Sequence, residues 1–258
     1  MPGIPVFMQS TLKKKAKMAL AMAALIAMAT PWAPGASADP SAAAHVTRLD
    51  LVSYGMTVGH GRIIRAPTLR NGKSCMQLRL IIETKVNLLF YKFYMHMQES
   101  WITDASGLIA YTYDSLENGR SKTITGELRD GIFHFETVAA GQKSVWTAPR
   151  AAYAFASISQ PEPALTEGEV KKYSVLDPST CTVTERTYRG TGMEMLTVGN
   201  RKIQCNTITI EYPGTSIRRW IIADEFGPLI LREEGSQPRG SYSHRAVSMD
   251  LEQPALNP

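Results

Sequence analysis

The groups with chemistry to offer in this chain are three cysteines, five histidines and a few neighbouring charged residues. Cys75, Cys181 and Cys205 lack the short spacing of a zinc knuckle, so no metal site is read from them. In an oxidising compartment they allow at most one internal disulfide and leave one thiol over, with the pairing open. The histidines stand apart in sequence: His45, His60 between Gly59 and Gly61, His96, His134 and His244. His96 and His134 fall among aromatic residues on predicted strands, where a buried, hydrogen-bonded histidine is expected in preference to a catalytic base. His60 is expected in a turn. Asp224 and Glu225 would point to opposite sides of a strand, and with Gly227 nearby Asp224 is expected to cap the amides of its own turn. Arg218 and Arg219 either grip an anionic headgroup or solvate a strand edge, the more ordinary role. The chain contains neither a G-x-S-x-G elbow nor an H-E-x-x-H helix, so no catalytic residue, cofactor or metal is assigned, and the chain is expected not to be an enzyme.

A second set is apolar. Tyr91, Phe93, Met95, Tyr111, Tyr113, Phe133, Phe135, Trp146 and Trp220 are the candidates for a ligand-binding lining. Methionine and aromatic side chains adapt to flexible acyl chains, which points to a lipid or lipoprotein acyl chain as partner. For any one of these residues the plainer reading is that it fills a core.

The elements that must position both sets read as strands. From Val46 to Trp146 apolar residues recur with a period of two. Met76, Leu78, Leu80 and Ile82 share one face, with Gln77, Arg79 and Glu83 on the other. Leu88 to Trp101 is a long aromatic strand with apolar bulk on both faces. Asn71-Gly72, Ser106-Gly107, Asn118-Gly119 and Asp130-Gly131 are hairpin turns, so successive strands must be neighbours. Pro149 to Ser159 is alanine-rich and expected to include a short helix, and Gln160 to Gly168 reads as a linker. A second β section follows, from Val170 to Leu231. The residues beyond Glu234 are polar, with Gly235, Pro238 and Gly240, and 235–258 is expected to be a loosely ordered tail.

The N-terminus carries an address. Up to Ala38 there is no acidic residue, and Lys13, Lys14, Lys15 and Lys17 precede a twelve-residue apolar run from Met18 to Ala29. A bilayer span needs roughly 20 apolar residues. A signal peptide over 1–38, cleaved after Ala36-Ser37-Ala38, is therefore expected, with no transmembrane anchor in the mature form. Either Met1 or Met8 serves as the start. Removing the four lysines from the 28 basic residues leaves 24 against 23 acidic ones, a near-neutral balance that excludes nucleic acid as a natural partner. The expected location is the periplasm.

Lys202-Ile203-Gln204-Cys205, then Trp220-Ile221-Ile222-Ala223-Asp224 and Gly227-Pro228-Leu229, resemble a family of periplasmic proteins that is similar in turn to the lipoprotein carriers LolA and LolB. The match runs over Glu169 to Glu234, and the first section resembles the family by strand layout. The resemblance implies a strongly curved antiparallel sheet closed by short helices over an apolar cavity. The expected fold is mainly β: a single curved antiparallel sheet, half-barrel or open barrel, with one or two short helices in one domain over 39–234. The function expected first is a periplasmic, non-enzymatic carrier of an apolar ligand. The alternative is an envelope scaffold or assembly partner with a filled core and an envelope protein as partner.

Overall fold

A computed structural model describes residues 44–53, 55–88, 91–157, 165–224, 227–237 and 240–252. The expected signal segment, Glu225 and most of the expected linker lie outside the described residues. The strands are β1 (Ala44–Ser53), β2 (Met56–Arg70), β3 (Lys73–Leu88), β4 (Tyr91–Asp104), β5 (Gly107–Glu117), β6 (Arg120–Arg129), β7 (Ile132–Ala139) and β8 (Gln142–Pro149). After a 3₁₀ turn at Arg150–Ala152 come β9 (Phe155–Ala156), β10 (Val170–Asp177), β11 (Thr182–Val198), β12 (Arg201–Tyr212), β13 (Thr215–Asp224), β14 (Gly227–Gln237) and β15 (Gly240–Glu252).

Together they form one curved, open sheet of fifteen strands, ordered β8 to β1, then β15 down to β9. Every pairing is antiparallel except that of β9 with β10. Local chemistry explains the meander. Asn71 and Gly72 (φ 52° and 73°), Asn118 and Gly119 (46° and 82°) and Asp130 and Gly131 (49° and 75°) all take the left-handed region that a two-residue hairpin turn requires. Ala140-Gly141 makes the same turn with an alanine at φ 50°, a position that sequence does not flag.

Two expectations are corrected. The alanine-rich segment forms only the three-residue 3₁₀ turn and the two-residue β9 in place of an α-helix. The supposed tail is not loose over Gly240–Glu252: it is β15, paired with β14 on one side and β1 on the other, at the middle of the sheet.

Curvature brings the two ends of the sheet together. Lys122 on β6 donates to the carbonyl of Ser179, in the turn after β10, at 3.1 Å. Thr137 on β7 lies 3.9 Å from the Cys181 sulfur in the same turn. β6 and β7 stand at one end of the strand order and β10 and β11 at the other, so these contacts cross the interior. A single apolar cluster then runs from Leu49 on β1 through Leu80, Met97, Phe135 and Leu176 to Trp220 on β13. A smaller cluster of Phe155, Tyr188, Ile208, Ile210 and Ile217 packs beside it.

Candidate functional site

The proposed lining is assembled from cross-strand neighbours. Leu78, Trp101, Tyr111, Gly126, Phe135 and Trp146 are successive register partners from β3 to β8 and so share one face. Trp101 and Tyr111 have ring centroids 6.3 Å apart, and Tyr111 reaches Phe135 at 6.3 Å across the gap left by Gly126. Phe135 stacks on Phe133 at 4.6 Å and meets Trp146 at 5.4 Å. Offset and edge contacts at such separations are those of packed aromatic pairs.

Of the nine expected lining residues, Phe93, Met95, Tyr111, Phe133, Phe135 and Trp220 are buried, and Tyr113 and Trp146 are half-buried. The Tyr91 side chain lies outside the description. Tyr111, Phe133 and Trp146 each meet Phe135. Trp220 is placed differently, on β13, with the guanidiniums of Arg218 and Arg232 at 4.8 and 4.7 Å from its ring and its Nε1 donating to Glu194 at 2.7 Å. Trp101, absent from the expected set, is fully buried at the centre of the row. Its place could be read from the alternation Phe93, Met95, Met97, Glu99, Trp101, which the intervening Glu99 obscures.

Glu99 is the unexpected member. Its side chain is 1% exposed, and its register partners are Leu80 and Tyr113. The Tyr111 hydroxyl donates to Oε1 at 2.9 Å, while Oε2 and the Trp101 indole nitrogen have no partner among the described residues. Burial pushes the carboxyl up to about 8, with Asp177 adding to the shift and Tyr111 and Lys122 opposing it. The group is therefore a neutral acid at pH 7.

Asp177 receives the backbone amide and hydroxyl of Ser179 at 3.1 and 2.7 Å and the Arg186 guanidinium at 3.1 Å. A second buried polar row lies across β13, β14 and β15, where Arg219, Glu233 and His244 are register partners. Arg219 Nε donates to Glu233 at 2.5 Å and the Tyr242 hydroxyl to the other oxygen at 2.9 Å. Burial raises the Glu233 carboxyl despite Arg219, and it lowers His244 to about 3 with Arg219 adding to the shift.

Arg219 does not solvate an edge, since it is buried against Glu233. Arg218 is partly exposed and pairs with Glu194. His96 and His134 are exposed, because Phe93, Met95, Met97, Phe133 and Phe135 take the inward faces of their strands. His60 is exposed as well, on β2 and not in a turn, with Asp50 at 3.0 Å. Asp224 finds its main partner far away, in Arg65 on β2. The three cysteines are free thiols, with Cys75 and Cys205 buried and Cys181 half-buried. Among the described residues no group of three or more His, Cys, Asp or Glu is placed to hold a metal ion.

Compared with family models, with curated proteins and with solved structures, the chain matches none. The arrangement offers three features: interior aromatics that meet one another, buried acids held neutral or paired, and a hydroxylated, exposed groove. That groove, of about 450 Å³, lies over the ends of β13, β14 and β15 between Arg218, Glu234, Tyr242 and four serines.

Proposed function

We propose that this chain is a non-enzymatic exported protein of the cell envelope that acts as an assembly partner through its outer surface, its interior being filled by its own side chains. The observation that carries this reading is the aromatic row: the residues best suited to hold an acyl chain hold each other, with Phe133 and Phe135 stacked at 4.6 Å. Admitting an apolar ligand there means separating packed rings, each of which contributes about 0.5–1.5 kcal/mol beyond simple burial.

The outer surface supplies apolar groups that a partner would cover. Met193 and Met195, two residues apart on one side of β11, are each 58% exposed. From Gly192 to Val198 β11 has β12 as its strand partner and extends past the end of its pairing with β10. Val145, on the outermost strand β8, is 68% exposed.

The test is extraction of the mature protein, purified from its native envelope, with organic solvent. Protein free of lipid, and failure to bind a fluorescent fatty acid, is the expected result. Lipid recovered in stoichiometric amount would overturn the filled-core reading in favour of the carrier reading that the LolA and LolB resemblance suggests. Export is tested separately by N-terminal sequencing of the processed protein, with Asp39 expected as the first residue.

A further inference from the structure

We infer that the groove over β13, β14 and β15 is a binding site for a neutral, hydroxyl-rich ring, that is, a sugar unit of a glycan. Two rows of side chains cross it. Ser216, Ser236 and Ser241 are successive register partners, and so are Arg218, Glu234 and Ser243, with Val52 of β1 at the end of the second row. All six point to one face, because they alternate along their strands with Ile217, Gly235 and Tyr242. Neighbouring strands stand about 4.8 Å apart, close to the width of a hexose ring, so adjacent hydroxyls can reach adjacent substituents of one ring.

None of the four serine hydroxyls takes a side-chain hydrogen bond among the described residues, and Ser216, Ser236 and Ser241 are exposed. Each offers one donor and two acceptor positions. The groove volume of about 450 Å³ lies within the range of small-ligand pockets. Gly235 and Tyr242 also border the groove, while the Tyr242 ring lies toward the opposite face, where its hydroxyl donates to buried Glu233.

Charge selects the ligand class. Arg218 is already engaged by Glu194 and by the face of Trp220, and Glu234 by Arg232. Among the described residues the groove therefore presents polar edges with little uncompensated charge, an arrangement that suits hydroxyls better than phosphate or carboxylate. This site lies outside the interior, so it stands whether or not the core holds a ligand.

The experiment titrates the full mature chain with triacetylchitotriose and with maltotriose, using sodium phosphate and sodium acetate as anion controls, and reads binding by calorimetry. Saturable binding of at least one trisaccharide is expected. Ser236→Trp, which fills the groove from an exposed position, should weaken it by about tenfold or more, and Ser216→Leu should act in the same direction. Unchanged thermal melting of both variants shows that the fold is kept. Binding of phosphate or acetate alone, sugar binding unaffected by both substitutions, or no binding of either trisaccharide at millimolar concentration overturns the proposal.

Discussion

Arg65 on β2 lays its two terminal guanidinium nitrogens on the two carboxylate oxygens of Asp224 on β13, 159 residues further along the chain. Nη1 also donates to the carbonyl of Gly227 at 3.2 Å. Three strands, β1, β15 and β14, separate the two in the sheet, so the pair spans the inside of the bend. The planar fork of arginine matches a carboxylate at two points, which fixes angle as well as distance. At 1% exposure the guanidinium has lost its water, and its desolvation cancels much of the attraction. The pair therefore specifies how far the sheet closes more than it adds to the stability of closure.

Removing one partner is a different matter from removing both. Asp224→Asn leaves the Arg65 charge buried beside a neutral amide, and a loss on the order of 3–5 kcal/mol is expected. Arg65→Met combined with Asp224→Leu should recover most of that loss. Urea unfolding of Asp224→Asn, of the single variants Arg65→Met and Asp224→Leu, and of their double variant provides the measurement. Strictly additive losses would show that the two residues do not act as a pair.

The two buried titrating groups bend the pH profile in opposite directions. Glu99 is raised from 4.5 to about 8, so the folded chain binds its proton more tightly than the unfolded chain between those values. Its contribution is intact below pH 4.5 and is lost as pH rises toward 8. His244 is lowered from 6.5 to about 3, so its contribution is intact above pH 6.5 and is lost as pH falls toward 3. Unfolding free energy is expected to decline on both sides of a mildly acidic plateau. Glu99→Gln should flatten the alkaline limb, leaving a residue due to Glu233, which burial also raises. His244→Gln should flatten the acid limb. A Glu99→Gln variant with the parental slope between neutral and mildly alkaline pH would contradict the assignment.

Much of the fold is legible in sequence, because strand alternation and left-handed turns are local. Met76, Leu78, Leu80 and Ile82 are all buried, and Asn71-Gly72 turns as its dipeptide requires. What failed depends on distant partners. β15 hides its inward face behind Tyr242, His244 and Ala246, a set with little hydrophobic signal, and its partner β1 lies at the other end of the described chain. His96 sits among aromatic residues along the chain, yet its strand turns Met95 and Met97 inward and leaves it in solvent. The candidate lining was recognisable as a set of apolar residues on common faces. That its members meet each other across Gly126 depends on a register that sequence does not display.

The thiols offer a check on how tightly the sheet is closed. Burial pushes Cys205 up to about 11 and raises Cys75 and Cys181 as well. Only the thiolate reacts with a disulfide reagent, and Cys181 alone is not fully buried. One thiol is expected to react slowly in the native protein and the other two only on unfolding. Cys181→Ser should remove the native reaction. Prompt modification of Cys75 or Cys205 in the native chain would contradict the packing of β3 and β12.

Gly126 separates the filled interior from a fillable one. A Cβ at this position would stand 2.6 Å from a Phe133 ring carbon and 2.8 Å from two of Phe135. In a packed core those rings have nowhere to move, since Phe135 also meets Tyr111 and Trp146. Gly126→Ala is then an overpacking change and should cost about 1–3 kcal/mol. Adding Phe135→Leu should restore part of that loss by making room for the methyl group. If the same rings bordered a ligand space they would swing into it, and Gly126→Ala alone would leave stability nearly unchanged. Chemical denaturation of the single and double variants, with near-ultraviolet circular dichroism to follow the rings, distinguishes the two outcomes without requiring that any ligand be known.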